Sequence, residues 1–231
     1  MADNKFKIRI IMPEDQERVL HFYIENFYRY EPVFISTPKM VPGPRDLADI
    51  VECIRGGTSI ICYHESDKAE EEIVGAFLCT AKERTYVRKL FEAAALEGNT
   101  KYGHYLRLLG ILHREAAICN RYKVEEIFFT FMACVAPKWR HRNILKLLGD
   151  ESIALATKLG YKVYTVDCTS NFSSRVCESL KMDRLVTLRY DEFLDANGKP
   201  YFAIPHPHVA AITYAIRLPY QLKAFKSTSK L

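Results

Sequence analysis

Residues 127–136, Ile-Phe-Phe-Thr-Phe-Met-Ala-Cys-Val-Ala, form the most apolar run of the chain, and Pro137 ends it. A run of this length between breakers reads as a central strand buried on both faces. The basic segment Lys138-Trp139-Arg140-His141-Arg142-Asn143-Ile144-Leu145-Lys146 follows at once. Ile144, Leu147, Leu148, Ser152, Leu155 and Leu159 then recur at helical spacing, Gly160 serves as C-cap, and residues 161–167 read as another strand. Strand, loop, helix and strand make a right-handed crossover, which requires an α/β sheet with a parallel pair. In such units ligands bind beyond the carboxyl ends of the strands, at the helix N-terminus.

The flanking segments extend the sheet. Phe6, Ile8 and Ile10 alternate with Lys5, Lys7 and Arg9, as a half-buried first strand does. Pro13-Glu14-Asp15 opens a helix that Val19, Leu20, Tyr23, Ile24 and Phe27 carry to about Tyr30, where Pro32 forces Glu31 out of the helical region. A loop with Pro38, Pro42, Gly43 and Pro44 leads to a helix over residues 46–55, closed by Gly56-Gly57. Strands over residues 59–63 and 73–81 flank a charged, exposed hairpin loop at 64–72. Tyr105, Leu109, Leu112, Ala116 and Cys119 mark a helical insert at about 83–123. A helix over 173–180, strands over 185–190 and 209–218, and a turn at Asn197-Gly198-Lys199-Pro200 complete an α/β fold with a mixed sheet.

Composition narrows the class. The 231 residues suit a single domain over 1–231 with a basic tail from about 219, large enough to need no disulfide or metal staple. With 48% hydrophobic and 26% charged residues the chain is neither disordered nor a coiled coil. Lys and Arg exceed Asp and Glu by 33 to 28, a surplus too small to imply nucleic-acid binding but suited to one local anion patch. Cys53, Cys62, Cys79, Cys119, Cys134, Cys168 and Cys177 are odd in number and contain no C-x-x-C, so neither a metal site nor a disulfide framework is expected. No apolar run reaches the roughly 18 residues of a membrane span. The chain ends in Ser229-Lys230-Leu231, a peroxisomal address motif, so its expected location is cytoplasmic or peroxisomal.

Chemistry belongs at residues 138–146. A helix N-terminus offers unpaired N–H groups and partial positive charge, and four cationic side chains surround this one. That is an anion site, suited to a phosphate-bearing cofactor. Trp139 among these charges also allows stacking of single-stranded nucleic acid, but no second aromatic–basic stripe continues it.

The element order, with this loop after the fourth strand, resembles the GCN5-related N-acetyltransferases, whose pyrophosphate loop reads Q/R-x-x-G-x-G/A. Arg140-His141-Arg142-Asn143-Ile144-Leu145 keeps its first position; Asn143 and Leu145 stand where glycine and Gly/Ala are usual. Tyr30-Glu31-Pro32, the segment from Cys168 to Val176, and Pro207-His208-Val209 are similar to the insect arylalkylamine N-acetyltransferases, across nearly the whole chain. The resemblance implies a mostly antiparallel sheet flanked by helices and acetyl transfer from acetyl-CoA to a primary amine such as an arylalkylamine. It places the catalytic base at Glu31, two hydroxyls beside base and thioester at Thr169 and Ser173, and a substrate-site histidine at His208. Met132, Ala133, Cys134 and Val135 would hold the thioester and pantetheine, and Arg140, His141, Arg142, Asn143, Ile144, Leu145 and Lys146 the pyrophosphate. Tyr30, Pro32, Phe34 and Phe172 would line an aromatic amine pocket.

Each position has a plainer role beside this one. Thr169, Ser170 or Asn171 can cap the helix that follows, His208 can be structural, and Cys168 reads as a buried strand-end thiol rather than a nucleophile. The missing glycines leave open a non-catalytic relative that binds CoA or an amine. A small-molecule amine partner, no metal, no nucleic acid, no membrane and a monomeric state are the expectations. Deleting Leu231 from an N-terminally tagged chain is expected to abolish peroxisomal import, and retained peroxisomal fluorescence would reject the address.

Overall fold

A computed structural model describes residues 6–36, 42–64 and 71–219. The described elements run in the order β1 (Phe6–Ile10), α1 (Gln16–Asn26), α2 (Pro32–Ile35), α3 (Pro44–Arg55), β2 (Ile60–His64), β3 (Glu72–Glu83), α4 (Tyr86–Glu97), α5 (Lys101–Ala116), α6 (Ile118–Tyr122) and β4 (Glu126–Val135). Then come α7 (Ile144–Lys158), β5 (Val163–Cys168), α8 (Asn171–Ser179), β6 (Asp183–Arg189) and β7 (Ala210–Arg217). The terminal Ser229-Lys230-Leu231, most of the basic tail and the tip of the β2–β3 loop lie outside the described residues.

Differences from the expected boundaries have local causes. α1 stops at Asn26 rather than near Tyr30, because Phe27–Tyr30 fold into a turn in which Glu31 N–H donates to the Phe27 carbonyl at 2.8 Å. The rings of Tyr28 and Phe34 meet edge to face at 4.9 Å and hold that turn. Glu31 is extended (φ −68°, ψ 124°), as the following proline demands, but Pro32 also starts a short helix of its own. The insert divides into three helices. Gly98 closes α4 at φ 62°, the Thr100 hydroxyl caps α5 by accepting from Gly103 N–H at 2.9 Å, and Ala117 breaks α5 from α6 in a left-handed conformation.

The strands form one sheet ordered β1-β2-β3-β4-β5-β7-β6, antiparallel except for β4 and β5. α7 and α8 cover one face, over a core that includes Phe128, Leu148, Tyr164 and Tyr214. α1 and α3 cover the other, over Tyr23, Ile50, Ile61 and Leu78, while α5 packs beside them on β6 and β7.

The parallel pair is short. Phe128, Phe129 and Thr130 pair with Tyr164, Thr165 and Val166, and β4 then continues to Val135 without β5 beside it. A bulge at Phe131 falls at the same point, because Leu78 and Cys79 of β3 face Met132 and Thr130. At the fork the hydroxyls of Thr130 and Tyr164 share a fully buried hydrogen bond of 2.6 Å, with Cys79 and Ser152 packed against the same knot. The first half of β4 is accordingly buried on both faces. Its second half leaves Phe131, Ala133 and Val135 only half-buried, because the strand has lost its neighbour.

α7 lies close to the sheet over Gly75. A Cβ there would come within 3.0 to 3.2 Å of Leu148 Cδ1, Ile144 Cγ2 and the Cys134 carbonyl oxygen. Gly75→Val is therefore expected to lower stability by about 1–3 kcal/mol, as overpacking does, measured by urea denaturation.

Candidate active site

The fork between β4 and β5 opens a cleft of about 410 Å³. One wall is Met132–Val135, whose backbone groups on the former β5 side have no ladder partner; the other is the end of β5 and the start of α8. Unpaired strand amides and carbonyls facing a cavity are ready to bind an extended, amide-bearing chain.

Glu31 lines the cleft from the turn between α1 and α2 and is 8% exposed. The Thr169 hydroxyl and the Val33 N–H donate to its carboxylate. Oε1 has no hydrogen-bond partner although it is buried. Burial dominates these two donors and pushes the carboxyl up to about 7, so the group exchanges its proton near neutrality.

The N-terminus of α8 supplies the facing wall. Ser170 is the cap, its hydroxyl accepting from Ser173 N–H at 3.1 Å, so the choice left open among Thr169, Ser170 and Asn171 falls on the middle residue. Thr169 is thereby free to face Glu31, and Tyr190 fixes its backbone by donating to the Thr169 carbonyl at 2.7 Å. The Ser173 hydroxyl donates to the Ser170 carbonyl at 2.9 Å and lines the cleft. His208 makes a structural contact without leaving the cleft. It lines the cleft, and its Nδ1 accepts from Asn171 N–H at 3.1 Å. Burial, reinforced by His206, holds the imidazole below its ordinary range, and a neutral ring with Nδ1 as acceptor carries its proton on Nε2. The ring of Phe172 stands edge-on to it at 5.3 Å.

At the other end of the cleft, His141 (φ 63°) and Asn143 (φ 60°) bend the loop through two left-handed positions into α7. Asn at the second of these is the side chain that best replaces glycine there. Arg140, His141, Asn143, Ile144, Leu145 and Lys146 line the cleft together with Met132, Ala133, Cys134 and Val135. The expected cluster of four free cations is corrected by the structure. Lys138 pairs with Glu72 and Lys146 with Asp150, each at 2.6 Å, because both lysines have a carboxylate within one turn or one strand. Arg142 does not line the cleft; its guanidinium lies 5.0 Å from the Trp139 ring centre. Arg140 lies 4.8 Å from the ring centre of Tyr30 and so joins this loop to the turn that bears Glu31.

Of the expected amine-pocket residues, Tyr30, Pro32 and Phe172 line the cleft. Phe34 does not. It is buried against Tyr28 and Tyr105 and contributes to a second chamber of about 380 Å³ behind the cleft. Two further features carried no sequence signal, since each depends on long-range pairing. Asp167, at the end of β5, lines the cleft, with Oδ2 2.7 Å from His113 Nε2 of α5 and Oδ1 accepting from the Thr213 hydroxyl at 2.6 Å. The His113–Asp167 contact is off-line, so both atoms join Glu31 Oε1 as the buried side-chain polar atoms without a hydrogen bond among the described residues. Glu31 and Asp167 line the cleft, and His113 stands against Asp167.

No model of a known protein family matches the sequence. Solved structures do match. An agmatine N-acetyltransferase superposes with a TM-score of 0.84 at 26% identity, over 92% of this chain and 99% of that one. The chain belongs to the GCN5-related N-acetyltransferase superfamily. The Drosophila melanogaster polyamine N-acetyltransferase matches at 0.83 and 26% over 93% of this chain and 100% of its own. A mosquito arylalkylamine N-acetyltransferase, like 5b, matches at 0.83 and 24% with the same coverage. Within the superfamily this GCN5-related N-acetyltransferase is thus similar to the insect arylalkylamine and polyamine enzymes.

Glu31 gives a test that needs no substrate. Its folded pKa of about 7 lies above the ordinary 4.5, so between these values the folded chain binds more protons than the unfolded one and loses stability as pH rises. Glu31→Gln, a mimic of the protonated acid, is expected to be more stable than the parent by on the order of 2–3 kcal/mol above pH 7 and equal to it near pH 4. Denaturant melts of both proteins across that range measure the difference.

Proposed function

We propose that the protein transfers the acetyl group of acetyl-CoA to a primary amine, with an arylalkylamine as acceptor, by direct attack in a ternary complex. The observation that carries this reading is Glu31: a buried carboxyl poised near neutrality, with one oxygen unmet, facing a cleft between parted parallel strands. An amine reaches the protein as an ammonium, and a base of this kind is what removes its proton. The geometric likeness to N-acetyltransferases that act on amines supports the same reaction class.

The residues present fit acetyl-CoA. The edge of Met132–Val135 that β5 leaves unpaired suits the pantetheine amides, and the left-handed turn at Asn143 with the α7 N-terminus suits the pyrophosphate, with Arg140 beside it. Bound there, acetyl-CoA supplies the thioester carbonyl that the amine attacks. Glu31 Oε1 accepts the proton of the ammonium, and the Thr169 hydroxyl holds the carboxylate in place while it does so. His208 Nε2–H is a donor along the α8 wall, and the Ser173 hydroxyl becomes one when it turns from the Ser170 carbonyl, while Tyr30, Pro32 and Phe172 line the same cleft.

Direct attack is favoured over an acyl-enzyme by the state of the thiols. Burial pushes Cys134 up to about 12, and Cys168 is buried with its Sγ 3.5 Å from that of Cys177. The competing reading, a relative that binds CoA without turnover, draws on Leu145 in the cleft and on Lys146 bound to Asp150. Calorimetry with acetyl-CoA and a coupled assay of thiol release with tyramine separate the two.

Glu31→Gln is expected to reduce kcat/KM for the amine by about 10²–10⁴. In the parent, kcat/KM should rise with pH through an apparent pKa near 7, and that limb should be absent from the variant. A profile identical in both proteins would reject Glu31 as the base.

A further inference from the structure

The second chamber behind the cleft shares its wall with it: Phe27, Tyr86, Tyr105, Leu109, Phe131 and Met132 face both spaces. An amine with its nitrogen at Glu31 therefore has its tail directed either along the cleft or through this wall of rings into the chamber. The chamber is not neutral. Lys82, at the end of β3, is half-buried in it, with Nζ 4.5 Å from the ring centre of Tyr86 and 5.8 Å from that of Phe131. These distances place an ammonium on the faces of the shared wall, where aromatic rings attract cations.

Asp46, Asp49, Glu52, Glu83 and Glu126 also line the chamber, and the first two lie in settled surroundings. Asp46 accepts from Gly43 N–H at 2.9 Å and is also hydrogen-bonded by Tyr102. Asp49, whose carboxyl burial pushes up, is pulled back down chiefly by the Lys82 charge. The chamber thus contains its own cation on the rings that a second positive charge of a substrate would seek.

We propose that Lys82 is a specificity-determining residue: its ammonium occupies the aromatic wall of the acceptor chamber and selects amines whose far end is uncharged over diamines. This rests on the acetyl-transfer reading and deepens it. Two acceptors of equal length test the charge alone. n-Pentylamine and 1,4-diaminobutane have the same number of heavy atoms and differ in a terminal methyl against a terminal ammonium.

The measured quantity is the ratio of kcat/KM for diaminobutane to that for pentylamine. Lys82→Met, which keeps the stem and removes the charge, is expected to raise the ratio by about tenfold, the order set by one unit charge several ångströms from another in a partly solvated cavity. Lys82→Arg, which keeps the charge, should hold the ratio within about twofold of the parent. An unchanged ratio in Lys82→Met, with both amines turned over, overturns the role of Lys82 and leaves acetyl transfer standing. If no form acetylates either amine or tyramine, the acetyl-transfer reading fails, and the ratio of calorimetric affinities for the same two amines decides the role of Lys82 by the same criterion. Absence of binding by both amines overturns both proposals.

Discussion

The hydrogen bond between Thr130 and Tyr164 marks the place where two neighbouring strands stop being neighbours. On one side of it β4 and β5 are an ordinary parallel pair inside a packed sheet, and on the other the cleft begins. The polar groups at the fork are deeply buried, so their mutual satisfaction matters more than their number: an unmet hydroxyl there would cost on the order of 1–3 kcal/mol. The bulge at Phe131 works in the same direction, re-aiming β4 while its other edge stays bonded to β3. A rigid sheet and an open binding edge are therefore made by the same ten-residue strand.

Much of this was legible in the sequence. The apolar run, the proline that ends it and the amphipathic helix behind it specify the crossover unit, because burial on both faces and helical periodicity leave few other arrangements. Glu31 was legible through Pro32, which forces the preceding residue to leave the helix wherever it occurs. Its environment was not. That depends on Thr169 and on the burial given by the assembled sheet, and neither has a local signature. The same holds for the His113–Asp167 contact, which brings together an insert helix and a strand end, and for Phe34, which the Tyr28 and Tyr105 rings draw out of the cleft. Helix limits failed where side-chain packing overrode propensity, as at the Phe27–Tyr30 turn.

The loop between β4 and α7 shows why charge counts in sequence overstate a site. Four cations stand together in the chain, but two have carboxylate partners and one lies on an indole. What this loop offers an anion is the helix end and the direction of the backbone, set by left-handed residues that are not glycine. Asn143 and His141 both suit that conformation, being among the side chains that enter it most readily after glycine.

The groups around the cleft come from the turn after α1, the middle of the sheet, the start of α8 and the segment before β7. Glu31 and Thr169 meet although more than half of the chain separates them. No contiguous fragment holds the site, and β5 can complete it only after inserting between β4 and the late strand β7. Pairings of that sequence separation form slowly, since the loops they close must be ordered first. The cleft is thus among the last features the chain acquires as it folds, and an occupied cleft reports that the entire sheet has reached register.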